Sequence, residues 1–156
     1  MIKFSFLLTL LSFLIIGCKT NQNGTYLIYK AERYGFTIAG GGTESPDIEV
    51  SKKLAQRFQG QKVDLTFTPK YIKLKEEGSN EEMILNLNNE YPSSPRYELS
   101  YNKGGEEIKI DLRIGSNEDK EITIFITAYP REYKQAESPN YGKFAMIECY
   151  LEKNNK

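Results

Sequence analysis

The sequence predicts a mainly all-β protein: an antiparallel up-and-down meander of about eight strands closing into a barrel, with one short helix between the first and second long strands. Three observations predict it. Apolar and polar residues alternate with period two over most of the chain beyond Gly24, turn residues interrupt these runs at short intervals, and a single segment changes to helical spacing.

The elements follow in order. "TYLIYKA" from Thr25 opens the meander. In "IEVSKKLAQRF", Ile48, Val50, Leu54 and Phe58 recur at roughly helical spacing, with Pro46-Asp47 as a start and Gly60 as a stop. That helix is placed to cap one mouth of a barrel. In "KVDLTFT", Val63, Leu65 and Phe67 alternate with Lys62, Asp64 and Thr66, and "YIKLKEE", "MILNLN" and "RYELSYN" continue the pattern. In "EEIKIDLRIG", Ile108, Ile110, Leu112 and Ile114 alternate with Lys109, Asp111 and Arg113; "EITIFITAY" and "KFAMIECYLEK" complete the set. Such alternation marks strands with one face buried. Turn chemistry separates them at Pro69, Gly78-Ser79-Asn80, Pro92-Ser93-Ser94-Pro95, Gly104-Gly105 and Gly115-Ser116-Asn117. Closing the meander removes its exposed edges.

The start of the chain has a different character. Lys3 is followed by a run from Phe4 to Ile16 broken only by Ser5, Thr9 and Ser12. The run is shorter than the ~20 apolar residues a membrane span needs and matches the core of a signal peptide. It ends in Ile15-Ile16-Gly17-Cys18, which resembles the lipobox of bacterial lipoproteins. The resemblance implies cleavage after Gly17, lipid on the Cys18 thiol and anchoring to a membrane surface by the acyl chains. Residues 1–17 are then a cleaved signal peptide, 18–24 a lipidated cysteine with a polar tether, and 25–153 a single domain. Lys19 stands where Asp would resemble an inner-membrane retention signal, so the likeness favours the outer membrane.

Composition excludes several function classes. Lys and Arg number 21, as do Asp and Glu, so the chain of 156 residues has no net charge and lacks the basic footprint of nucleic-acid binding. It has no histidine, which removes Ser-His-Asp and Cys-His catalysis and His-ligated zinc. Glu76-Glu77, Glu81-Glu82, Glu106-Glu107 and Asp119-Glu121 are carboxylate pairs, but they fall at strand ends and turns among polar neighbours. No Asp-rich calcium loop is present. No enzymatic activity, cofactor or metal is expected. Cys149 alternates with Ala145, Ile147 and Leu151 and is expected to be buried, with no disulfide partner once Cys18 carries lipid.

"NGTYLIYK", "LTFTPKYIKLK" and "RYELSYNKGGEEIKIDL" together resemble the lipocalin-like domains carried by bacterial lipoproteins, in which a Gly-Thr-aromatic opening precedes meandering strands. The aromatic here is Tyr26. The resemblance implies a noncatalytic binding protein that holds a small, partly apolar ligand in its barrel. Val63, Leu65, Phe67, Leu99, Ile110, Leu112 and Ile124 would face that ligand, with Tyr97 and Tyr101 as polar contacts. The alternative is an interaction module, an envelope inhibitor or immunity-type lipoprotein acting on an envelope protein through "AGGGTESPD" and "PREYKQAESPNYG", two polar loops longer than a meander needs. A roomy interior favours the carrier, and a filled one favours the interaction module. "RYGFTIAGGG" is locally similar to the carboxylate-binding loop of PDZ domains, but the chain after Lys62 offers no second helix to wall such a groove.

Overall fold

The alternating segments do form strands, and they pair in chain order. The computed structural model describes residues 22–34, 46–88, 95–115, 121–139 and 141–154. Its strands are β1 (Gly24–Arg33), β2 (Lys62–Phe67), β3 (Tyr71–Glu76), β4 (Glu82–Asn88), β5 (Arg96–Lys103), β6 (Glu106–Ile114), β7 (Ile122–Tyr129) and β8 (Ala145–Lys153). Each is antiparallel to the next, and β8 returns to β1 to close the barrel. The expected helix, α1 (Ile48–Phe58), lies between β1 and β2. Residues 1–21, which hold the signal-peptide and lipobox assignments, and most of the "AGGGTESPD" loop lie outside the described residues.

The first strand begins one residue before the expected Thr25. β1 starts at Gly24, the Asn23 side chain accepts the Phe67 N–H at 2.8 Å, and the Tyr26 hydroxyl donates to the Gln22 carbonyl. The C-terminus arrives at the same end of the barrel, where the Asn154 N–H donates to the Thr25 carbonyl at 2.8 Å. This terminal end also carries the β2–β3, β4–β5 and β6–β7 connections. The opposite, helix end carries α1, the β3–β4 and β5–β6 turns and the connection through residues 130–144. At the β5–β6 turn, Gly104 and Gly105 have φ of +62° and +88°, the left-handed pair that a two-residue hairpin turn requires.

α1 is held by local and tertiary bonds. Asp47 caps its first turn by accepting the Val50 N–H at 2.9 Å, and Arg57 in the last turn complements the helix dipole. Ser51 and Ala55 are buried toward the barrel, and Ser51 Oγ accepts the Met146 N–H of β8 at 3.2 Å. At the other end of the helix, Gly60 N–H donates to Ile28 and Ile28 N–H to Gln61, both at 2.9 Å. The helix therefore spans β1 and β8, the strands that close the barrel. Their register shifts at a bulge between Ile28 and Lys30.

Inside, the inward sets of all eight strands merge into one apolar core, with Ile72, Leu85, Leu112, Ile147 and Cys149 fully buried. Burial pushes the Cys149 thiol up to about 12, with Glu148 adding to the shift. The sulfur behaves as a small apolar core atom, as the alternation around it predicts. Outside, Phe125 makes a T-shaped contact with Tyr34 at 5.0 Å and is covered by the Arg113 guanidinium at 4.0 Å. Arg113 in turn donates from Nε and Nη2 to Asp111 Oδ2 at 2.9 and 2.6 Å.

Candidate functional site

The barrel wall is not equally closed all round. β3 and β4 pair from Tyr71–Asn86 to Lys75–Glu82, and β5 and β6 pair along the whole of Arg96–Lys103. Between them, β4 and β5 pair only at Asn86–Glu98, Leu87–Tyr97 and Asn88–Arg96. All three pairs lie beside the β4–β5 connection at the terminal end. Toward the helix end, Glu82–Leu85 and Leu99–Lys103 share no register pair, so the hairpin splays and leaves a slot between two strand edges.

An open cleft of about 570 Å³ occupies the slot. Its walls are Met83 and Ile84 from β4 and Leu99, Tyr101, Asn102 and Lys103 from β5, with Glu76, Ser79, Glu81 and Glu82 along the β3–β4 side. The volume lies within the range of roughly 300–1,000 Å³ usual for small-ligand sites. Across the outer rim, Lys103 reaches Glu81 at 3.8 Å, an exposed ion pair of the weakly held kind. Glu82 is already occupied by Lys73 at 2.8 Å.

Glu76 is the most informative side chain here. It continues the inward phase of Ile72 and Leu74, so the last residue of β3 directs a half-buried carboxylate to the mouth of the barrel. Among the described residues no lysine or arginine forms an ion pair with it. It faces Tyr101, whose hydroxyl pKa is raised by burial and then by the Glu76, Glu81 and Glu106 carboxylates, against a lowering effect of Arg57. Phe58, from the last turn of α1, packs on the core beside this group.

Behind Glu76, Met83 and Tyr101 lies a small apolar void. The void enclosed by these residues with Phe58, Val63, Ile110 and Ile124 measures about 20 Å³, room for about one water molecule. The sequence-derived candidates thus separate into groups. Leu99 and Tyr101 line the slot. Val63, Ile110, Ile124 and again Tyr101 line the small void. Leu65, Phe67, Tyr97 and Leu112 pack the terminal half of the core and line neither space. All nine lie in or against the single apolar core, on the inward face of the barrel, as the alternation predicts.

Sequence reasoning missed Glu76, Met83 and Ile84. The signal for Glu76 was present: it stands two and four residues after Leu74 and Ile72, in the buried phase of its strand. Its charge and its place beside a turn pointed to solvent. Glu81, Glu82 and Glu106 do lie at the surface or half-buried near turns, and Asp119 is outside the described residues. No cluster of metal-ligating side chains occurs among the described residues. Compared with known protein families, curated proteins and solved structures, the chain shows no significant match to any.

Proposed function

We propose that this protein is an envelope lipoprotein, anchored through lipid on Cys18, that noncatalytically binds a partly apolar ligand in the slot between β4 and β5. The splayed hairpin supports the reading: a cleft of about 570 Å³ combines Met83, Leu99 and Tyr101 with the carboxylate of Glu76. The reading places the ligand in the barrel wall, where Met83, Leu99 and Tyr101 meet Glu76. A cationic group on the ligand would meet Glu76 while its apolar part covers Met83 and Leu99. The anchor fits this placement. Only Lys19, Thr20 and Asn21 separate Cys18 from Gln22 at the terminal end, and each residue extends the chain by at most ~3.6 Å. The terminal end is therefore held near the bilayer and the slot opens on the far side.

An exposed aromatic loop favours a second reading, an interaction module acting on an envelope protein. Of its expected loops, "PREYKQAESPNYG" is mostly described and carries Tyr141 at 58% exposure, beside a Tyr129–Tyr133–Phe144 cluster with ring separations of 5.0–6.3 Å.

4-Phenylbutylamine, a soluble cation with an aromatic tail, tests the slot. Titrated into the purified full chain, it is expected to shift the NMR signals of Met83, Leu99 and Tyr101. Glu76→Gln should weaken binding and Leu99→Trp should block it, while Tyr97→Phe at the terminal end leaves it unchanged. Equal binding to all three variants would overturn the site. Labelled palmitate retained by the wild type and lost in Cys18→Ser tests the anchor.

A further inference from the structure

The slot differs from an ordinary cleft because two of its walls are strand backbones. Glu82–Leu85 and Leu99–Lys103 each have one neighbour, β3 and β6 respectively, and no register pair on the other side. A strand edge of this length is a template for another chain, and proteins usually cover it or guard it with charge. Among the described residues, charge guards this one. Glu81 and Lys103 bridge the rim at 3.8 Å with side chains 82% and 62% exposed, a latch that a ligand can displace at little cost.

Resting on the reading that the slot binds a partly apolar ligand, we propose that its ligand is an extended peptide segment that inserts between β4 and β5 as an added strand. The backbone edges supply the affinity, and alternate side chains supply the selectivity. Residues of one parity would point inward onto Met83, Leu99 and Tyr101, where small apolar side chains fit against the apolar core. The slot's charged residues are Glu76, Glu81, Glu82 and Lys103, three acids to one base, so a segment with lysine or arginine complements it. A strand between two antiparallel neighbours is antiparallel to one and parallel to the other. It therefore uses hydrogen-bonding groups on both of its edges.

The probe is a hexapeptide of alternating lysine and valine, compared with two versions N-methylated at one or the other alternating set of amides. With the full chain, hydrogen exchange should slow at residues 82–85 and 99–103 together when the parent peptide binds. Each methylated version should bind about tenfold more weakly or worse, since several backbone bonds are lost at once. Glu76→Gln should narrow the preference for the lysine peptide over a serine–valine analogue. If the methylated peptides bind as tightly as the parent, or exchange slows on one strand alone, insertion is overturned. If 4-phenylbutylamine binds in the slot and the peptides do not, insertion fails while the binding site stands. If neither probe affects the slot, both readings fall.

Discussion

Two seams face one another across the barrel, and they are built differently. Between β1 and β8 the chain joins its own two ends, and register pairs run from Tyr26–Lys153 to Arg33–Ile147. Between β4 and β5, neighbours in sequence, pairing stops after Asn86–Glu98. Proximity along the chain would favour the opposite result, since local pairs close with the smaller entropic cost. The difference lies in what covers each seam. α1 packs over β1 and β8, and Cys149 and Ile147 beneath them are wholly buried. Over β4, Ile84 is 45% exposed and Met83 only partly buried. The sealed seam is the one the helix covers, although it joins strands far apart in sequence.

The largest test of this contrast is truncation on each side. Ile147→Ala should cost about 2–5 kcal/mol by urea unfolding, the usual loss for a fully buried aliphatic side chain. Met83→Ala should cost clearly less, because its site already meets solvent. Equal losses would mean that the two seams are packed alike.

Alkali should act next, and on the sealed seam. The unfolded Cys149 thiol releases its proton near its ordinary value of 9.0, while the folded one keeps it until about 12. The unfolded state then binds fewer protons, so stability is full below pH 9 and declines as pH rises toward 12. Buried Tyr26 and Tyr97 are shifted upward as well and contribute in the same direction. Cys149→Ala should flatten part of this decline in urea titrations taken from pH 8 to 11; an unchanged slope would place the thiol in a wetter setting.

Cross-linking reads the seam directly. Asn86→Cys with Glu98→Cys occupies a register pair and should oxidise readily, since disulfides form when Cα atoms approach within about 4.4–6.8 Å. Ile84→Cys with Ser100→Cys, the corresponding outward positions in the splayed part, should oxidise much more slowly. Matching rates would show a closed hairpin. The smallest effect belongs to the rim: Lys103→Met should leave the urea midpoint unchanged yet speed hydrogen exchange at Leu99–Asn102, the signature of a latch without structural weight.

Much of this architecture was legible in the chain. Val63-Leu65-Phe67 and Ile108-Ile110-Leu112 show their buried face because a barrel strand has one wet side, and α1 shows itself by changing period between Asp47 and Gly60. The slot was not legible, for a physical reason. "MILNLN" and "RYELSYN" alternate as well as any other pair, and alternation reports which face is buried, not whether two neighbouring edges meet. Interior volume was equally hidden. Leu65, Phe67, Tyr97 and Leu112 do face inward, but whether inward side chains touch or stand apart depends on barrel radius and shear, which no single strand encodes.

The placement of Thr25 and Asn154 at one end of the barrel gives the molecule a mechanical axis. β1 leaves the terminal end flanked on one side by β2 and on the other by β8. A pull between Gln22 and the helix end would run along β1, and its hydrogen bonds lie across that line. They would be loaded together in shear instead of peeling one at a time.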